Sequence, residues 1–261
     1  MAASFNAEDF LWYAGLAAKA VLTARLLWLG LYVRYKALVI CLLAHVVRTL
    51  ILLPLSVNGN AYAYAYLLTE PLLLVTYVLV ALEIYSHVFE SYRGLSILGR
   101  RTMLAALGVS ALVAVVTHLA EFDYTNERFH ILRSLFIVES TLCSTLLIFL
   151  ILLALFLFWY PVPLRKNLLH YSFLWCVVFA ALSAGLYLRN ANPTDDWTRI
   201  ASEVRLAADT LCPAAWIWLF RRSWEVETSG VAFRLTSEHQ QRILARLDAM
   251  NEALEAGRKT T

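Results

Sequence analysis

Long apolar runs dominate the chain, and short polar or charged stretches separate them. A helix needs about 20 mostly apolar residues to cross a bilayer. Seven runs reach that length, and the pattern therefore predicts an all-α bundle of seven transmembrane helices. In chain order, these predicted spans are Asp9–Tyr32, Ala37–Leu55, Tyr62–Phe89, Thr102–Ala120, Ile131–Tyr160, Leu168–Leu188 and Ile200–Phe220.

The charges between the spans alternate in sign. Basic residues follow every odd-numbered span, whereas uncharged or acidic stretches follow the even-numbered ones. Because cytoplasmic loops carry the excess of Lys and Arg, the N-terminus is predicted outside and the C-terminus in the cytoplasm. The basic residues are Arg34, Lys36, Arg93, Arg100, Arg101, Arg165, Lys166, Arg221 and Arg222, and the acidic ones are Glu121, Asp123, Glu127, Asp195 and Asp196.

Composition supports a membrane protein. The 261 residues are 61% hydrophobic, against about half in ordinary soluble domains, and the mean hydropathy is +0.64. The net charge of +3 is small and is spread over alternate loops, so the predicted partner is the lipid bilayer and not nucleic acid. The N-terminal sequence MAASFNAEDF is acidic, unlike a cleavable signal peptide.

Two regions are predicted. Residues 1–225 form the seven-helix transmembrane domain, and residues 226–261 form a cytoplasmic linker and an amphipathic helix over Thr236–Gly257. This helix either lies on the bundle or membrane surface, or mediates self-association or docking of a cytoplasmic partner. Its apolar stripe is Ile243, Leu247, Met250 and Leu254.

Six ionisable residues from five predicted spans share one layer. A rise of 1.5 Å per residue places them roughly 8 to 15 Å below the outer face. Charged groups at that depth are costly and mark candidate functional sites. We expect a pocket for a small ligand or ion, while buried structural ion pairs or a proton or ion path are the alternatives. The six residues are Lys19, Arg48, Glu70, Glu139, Arg205 and Asp209.

Helical spacing places these residues on shared faces. Pro71, next to Glu70, is expected to kink its helix, and Arg205 can pair with Asp209 within one helix. The predicted stripes are Ser202, Arg205, Asp209, Cys212 and Trp216 on span seven, Cys41, His45 and Arg48 on span two, and Tyr66, Glu70 and Tyr77 on span three.

The remaining polar and aromatic residues that we considered are expected to stabilise the structure and not to form a binding site. Glu83 lies near the inner face and is expected to pair with Arg25. The four cysteines are interpreted as small packing residues. Several aromatic residues near span ends are interpreted as interfacial anchors. These are Trp12, Tyr62, Tyr64, Trp159, Tyr160 and Trp197.

Motifs for catalysis are missing from the sequence. There is no HExxH or HxxxH pair, no GxSxG and no nucleotide-binding glycine loop. The sequence therefore predicts no catalytic residues, no metal site and no cofactor, and does not favour an enzyme. Ligation of haem or a metal between His87 and His170 is a minor alternative.

A possible internal repeat links the two halves. Arg34 precedes Glu70 by 36 residues, and Arg165 precedes Glu203 by 38. A parallel arrangement of three, one and three helices would explain this spacing, and some transporters contain such repeats.

One set of residues resembles a known family. These residues are Ala63-Tyr64-Ala65-Tyr66, Glu70, Glu83-Ile84, Phe89, Tyr92, Leu98-Gly99-Arg100, Arg133 and Trp216-Ile217-Trp218-Leu219. In this set the chain resembles an uncharacterised family of bacterial seven-helix integral membrane proteins. The resemblance implies a multi-pass protein of the bacterial plasma (inner) membrane and carries over no function. The functional prediction rests instead on the layer of ionisable residues, which favours a sensor or receptor-like protein. A small-solute or ion transporter and a non-catalytic subunit of a membrane complex are the alternatives.

Overall fold

The structure is a computed structural model. It describes residues 7–55, 59–90, 127–159, 164–191, 195–220 and 227–228, together with residues 99, 101, 103–105, 108–109, 112, 245, 249 and 252. Most of predicted span four and most of the predicted C-terminal helix lie outside this set. The residues described within both of those segments are helical.

The described ranges are helical, apart from one short strand pair, which confirms the all-α prediction for this part of the chain. The helices are α1 (Ala7–Trp28), a 3₁₀ turn (Leu31–Val33), α2 (Lys36–Leu52), α3 (Asn60–Val88), α4 (Glu127–Trp159), α5 (Lys166–Ala191) and α6 (Asp195–Leu219). The helices α4, α5 and α6 correspond to predicted spans five, six and seven. The strands β1 (Leu164–Arg165) and β2 (Glu227–Thr228) pair antiparallel.

Four of the described helices are long and apolar enough to cross a membrane. They contain the segments Phe10–Trp28, Asn60–Val88, Leu135–Trp159 and Lys166–Gly185. The helix α2 is shorter, with 17 residues. The last 18 residues of α6 include three charged side chains, Glu203, Arg205 and Asp209. The charges in the predicted pocket layer thus lower the hydropathy of α6.

The helices pack as a ring. Each of α1 to α6 contacts the next described helix in the chain, α1 also contacts α6, and α3 touches α5 across the ring. The buried core inside this ring takes residues from every helix, among them Leu22, Leu38, Tyr77, Cys143, Tyr171 and Trp216. Side chains from all six helices therefore meet in one interior.

Contacts at one end of the ring define what we call the basic end. Arg34, after α1, forms an ion pair with Glu90, after α3. Arg25 donates a hydrogen bond to the carbonyl oxygen of Phe220, after α6, at 3.3 Å. The opposite end, where α3 begins, is called the Asn60 end. The segments that the charge pattern assigns to one side of a membrane thus lie together.

Aromatic rings fill the interior at the basic end. The ring centroid of Tyr35 lies 5.3 Å from that of Tyr171 and 5.3 Å from that of Phe220, both in edge-on geometry. All three side chains are buried. Edge-on aromatic pairs add about 0.5–1.5 kcal/mol beyond the burial of their area. This Tyr35 cluster (Tyr35, Tyr171 and Phe220) therefore packs the basic end tightly.

Glu83 differs from the sequence prediction, because Arg25 is not its partner. The Glu83 carboxylate accepts hydrogen bonds from the backbone N–H of Ala37 at 2.8 Å, the N–H of Leu38 at 3.4 Å and the Tyr171 hydroxyl at 2.9 Å. The first N–H groups of a helix have no partner within it, and a negative charge there is favourable. Glu83 of α3 therefore caps α2, whose own N-cap side chain does not.

The end of α1 also differs from the prediction, which continued the helix to Tyr32. The helix ends at Trp28 because Gly30 has φ of 71°, a left-handed conformation that glycine adopts without steric cost. The 3₁₀ turn follows and leads into α2. Pro71, in contrast, does not end α3, which continues through it to Val88.

Candidate functional site

The six ionisable residues predicted to share a layer come together in the half of the bundle nearer the Asn60 end. Lys19 is on α1, Arg48 on α2, Glu70 on α3, Glu139 on α4, and Arg205 and Asp209 on α6. They form two neighbouring groups of ion pairs.

The larger group is a network of four residues. Arg48 pairs with Glu70, while Arg205 reaches both carboxylates, at 3.5 Å from Glu70 and 3.0 Å from Glu139. Both carboxylates are 0% exposed, whereas the side chains of Arg48 and Arg205 are 11% and 28% exposed. The guanidinium group of Arg48 also lies 4.6 Å from the ring centroid of Tyr66, a cation–π contact that helps to position it.

The second group is the ion pair between Lys19 and Asp209. Lys19 is buried, but the Asp209 side chain is 38% exposed. The sequence allowed Arg205 to pair with Asp209 within α6. In the structure each of them pairs instead with other helices, so these charges connect the bundle across its interior.

The carboxylates of Glu70 and Glu139 are buried against the two guanidinium groups. Their four oxygen atoms are buried, and in the described part of the chain none has a hydrogen-bond partner of good geometry. A buried ion pair stabilises only when its geometry and additional hydrogen bonds offset the desolvation of both charges. The contribution of the network to stability therefore depends on its ion pairs with Arg48 and Arg205.

A cavity of about 620 Å³ lies beside the two groups. Lys19, Arg48, Arg205 and Asp209 line it, while Glu70 and Glu139 lie behind the arginines. The three cationic side chains and one anionic side chain are therefore directed toward an interior space. The charges are paired with one another, yet the space next to them is not filled by described side chains.

Aromatic side chains form most of the remaining wall. Toward the Asn60 end the lining includes Trp12, Tyr62, Tyr66 and Phe136. Deeper, Trp175 lies 5.8 Å from Tyr77 and 5.6 Å from Trp216, measured between ring centroids.

The floor also carries polar groups. A hydrogen bond of 3.1 Å joins His45 Nε2 and the Tyr77 hydroxyl. The indole N–H groups of Trp175 and Trp216 are buried without a hydrogen-bond partner in the described structure. Below Trp216 the Tyr35 cluster fills the interior, so the cavity lies on the Asn60 side of a packed floor.

Most residues of the three predicted stripes line this cavity. From α6 they are Ser202, Arg205, Asp209 and Trp216, from α2 Cys41, His45 and Arg48, and from α3 Tyr66 and Tyr77. Cys212 is buried, and Glu70 lies behind Arg48.

Of the six aromatic residues interpreted as interfacial anchors, Tyr160 and the side chain of Trp197 lie outside the described structure, and the other four separate into two kinds. Tyr64 and Trp159 are exposed, as anchors would be, whereas Trp12 and Tyr62 line the cavity. Sequence analysis also missed Trp175 and Pro213 as lining residues. Pro213 carries a usable signal, since a proline inside an apolar helix leaves the carbonyl four residues earlier, here that of Asp209, without its helical donor.

The proposed correspondence between Glu70 and Glu203 is not supported by their surroundings. Glu70 is fully buried, but the Glu203 side chain is 51% exposed and forms an ion pair of 3.6 Å with Arg199, one turn earlier on α6. The two glutamates therefore do not occupy equivalent sites. His87, weighed as a metal ligand, donates a hydrogen bond to the Arg34 carbonyl oxygen at 2.9 Å.

Comparison of the chain with protein-family models, with curated proteins and with solved structures finds no match.

Proposed function

We propose that this chain is a multi-pass protein of the bacterial plasma membrane with seven spans, an external N-terminus and a cytoplasmic C-terminus. We further propose that it is a sensor or receptor-like protein that binds a small polar ligand in its outer half. The four long apolar helices and the alternation of basic and non-basic loops support the membrane topology. The bacterial location follows from the sequence resemblance.

One observation carries the binding proposal: charged side chains from three helices face a cavity of about 620 Å³. Ligand pockets usually have volumes of about 300–1,000 Å³ and combine apolar walls with a few placed polar groups. A purely structural ion-pair layer has no need of space beside it. Here the exposed fractions of Arg205 and Asp209 leave both groups able to contact a ligand.

The packed floor favours a receptor over a transporter. The Tyr35 cluster and Trp216 are buried between the cavity and the basic end, and Glu83 ties α3 to α2 at the same level. A ligand that contacts Arg205 or Asp209 touches α6, which leads directly to Phe220 in this cluster. Movement of α6 would therefore carry the signal across the membrane.

Accessibility of a single introduced cysteine tests the proposal. Ala208→Cys places a thiol in the cavity, and Leu211→Cys places one on the outward side of α6, where the native leucine is exposed. In membrane vesicles of known orientation, a charged, water-soluble thiol reagent should modify Ala208→Cys from the N-terminal side only. Leu211→Cys should stay unmodified, because lipid excludes the reagent.

Cys41 itself lines the cavity, so both variants carry Cys41→Ser, and the Cys41→Ser chain with the other three native cysteines gives the baseline. Modification of Ala208→Cys from the cytoplasmic side as well would indicate alternating access and would replace the receptor with a transporter. No modification from either side would show that the charged layer is closed, and would leave a structural role for it.

A further inference from the structure

We propose that the ligand of this cavity is a small zwitterion that carries an ammonium group, a carboxylate and an apolar body, as a hydrophobic α-amino acid does. This inference rests on the proposed function and names the class of ligand. Three features of the cavity support it: its charge balance, the spacing of its two most exposed charges, and its aromatic wall.

The charge balance excludes a large net charge on the ligand. The six residues of the layer comprise three cations and three carboxylates, so the layer is neutral when all are ionised. An added net charge would find no free counter-charge in the layer, because its six charges already neutralise one another. A zwitterion adds two opposite charges and leaves the layer neutral.

The most exposed charged groups on the cavity wall have opposite signs. Asp209 is 38% exposed and Arg205 is 28% exposed, against 5% for Lys19 and 11% for Arg48. Asp209 and Arg205 are one turn apart on α6, so their side chains start about 6 Å apart along the helix axis. A molecule with its ammonium and carboxylate on one carbon can contact both.

Each charged group of the ligand has a defined partner. The planar guanidinium group of Arg205 can hold a carboxylate through two parallel hydrogen bonds, with Arg48 in the same network. The Asp209 carboxylate can accept from an ammonium group on the side away from Lys19, since it still has exposed surface. Glu70 and Glu139 keep the arginines neutralised from behind.

The aromatic wall selects the rest of the ligand. Tyr77, Trp175 and Trp216 form the deep part of the cavity, and Tyr66 and Phe136 lie nearer its mouth. A cavity of about 620 Å³ leaves room for an aromatic or branched apolar side chain beside the charged groups. Burial of an apolar body there is favourable because it removes apolar surface from water.

A matched set of ligands tests the inference on the unmodified full chain in lipid nanodiscs. Phenylalanine carries both charges, phenethylamine carries only the ammonium group, and 3-phenylpropionate carries only the carboxylate. Binding is measured by the emission of the protein's tryptophans, three of which line the cavity, with empty nanodiscs subtracted. We expect phenylalanine to bind at least about tenfold more tightly than either analogue, because a hydrogen bond to a charged group contributes about 1.5–3 kcal/mol.

Two variants assign the two charges. Arg205→Gln should weaken binding of phenylalanine but not of phenethylamine. Asp209→Asn should weaken binding of phenylalanine and strengthen that of 3-phenylpropionate, because Lys19 is then free to contact a carboxylate. Glu203→Gln, on the same helix but exposed outside the cavity, is the control and should change none of the three affinities.

Two results would contradict the proposal that the ligand is a zwitterion. They are equal binding of phenylalanine and 3-phenylpropionate by the unmodified chain, and no binding of phenylalanine. These results need no variant, so a variant that fails to fold does not weaken the test. Labelling of Ala208→Cys uses no ligand. A chain that labels from the N-terminal side but does not bind phenylalanine therefore retains the proposed pocket and loses only this ligand class.

Discussion

At the scale of single residues, the buried carboxylate of Glu70 has the most direct consequence for stability. Glu70→Gln keeps the size of the side chain but leaves Arg48 without its counter-ion and Arg205 with Glu139 alone. Removal of one partner from a buried ion pair costs about 3–5 kcal/mol. We therefore expect a large drop in the thermal unfolding temperature of the purified protein in detergent.

Glu203→Gln is the matched control for this effect. Like Glu70→Gln it removes a carboxylate charge, but Glu203 is on α6 and forms an exposed ion pair with Arg199. Exposed pairs between neighbouring turns contribute about 0.3–0.5 kcal/mol, so its unfolding temperature should hardly change. Equal, small effects of both substitutions would mean that the four-residue network does not stabilise the bundle.

The sequence predicted which charged residues would meet but not how they would pair. Helical spacing places Arg205 and Asp209 on one face, and depth places them level with Lys19, Glu70 and Glu139. Their pairing depends on how each helix is rotated about its axis relative to its neighbours. The sequence pattern of a single helix does not determine this rotation. This is why Arg205 reaches α3 and α4 while Asp209 reaches α1.

At the scale of helices, Glu83 connects α3 to α2, because its side chain on α3 caps the first turn of α2. Glu83→Ala should destabilise the protein by about 0.5–2 kcal/mol, the range for a lost N-cap, and Glu83→Gln by less, because an amide oxygen still accepts a hydrogen bond. Hydrogen exchange at the amides of Ala37 and Leu38 is the measurement, since both donate to this carboxylate.

Tyr171→Phe is the control for the Glu83 substitutions. It removes one donor to Glu83 but leaves the cap of α2 in place. We expect the exchange of the Ala37 and Leu38 amides to remain slow in this variant. Unchanged exchange in Glu83→Ala would show that Glu83 does not protect the start of α2.

The contact between α1 and α6 depends on Gly15. A Cβ atom there would lie 3.0 Å from Thr210 Oγ1 and 3.8 Å from the carbonyl oxygen of Asp209. Gly15→Leu should therefore separate the two helices and lower stability by about 1–3 kcal/mol, as overpacking does. It should also weaken the nearby pair of Lys19 and Asp209.

Gly108→Ala is the control for this steric effect, because a Cβ atom at Gly108 has no neighbour within 4 Å. It should be neutral or slightly stabilising, since alanine favours a helix by about 1 kcal/mol over glycine. Thermal unfolding of both variants is the measurement. A Gly15→Leu protein as stable as the unmodified chain would show that α1 and α6 do not depend on this close approach.

Helix positions followed from the sequence better than helix ends did. Hydropathy placed both ends of α2, α3 and α5 within three residues, because each apolar run must be buried or face lipid. It placed the starts of α4 and α6 four and five residues too late, because the first turns of both helices carry charged residues. It misplaced the end of α1, where the backbone of Gly30, and not a change in polarity, ends the helix. The pocket itself was expected from the charged layer, but its aromatic wall was not, because that wall depends on how side chains from several helices fit together.

At the scale of the whole molecule, the two ends of the ring are expected to face opposite sides of the membrane. The helix α2 alone, with 17 residues, is about 25 Å long, close to the thickness of the hydrocarbon core. Lys36 begins α2 at the basic end, and Asn60 begins α3 at the other, and both are exposed. Their positions allow topology to be tested with two substitutions.

A membrane-impermeant thiol reagent should modify Asn60→Cys in intact cells and Lys36→Cys only after the membrane is opened. Lys36→Cys removes one basic residue, but Arg34 and the arginines after the later spans remain, so the orientation should persist. Equal modification of both thiols in intact cells would place both ends of α2 outside. It would then exclude the seven-span topology and, with it, a cavity that opens to the external side.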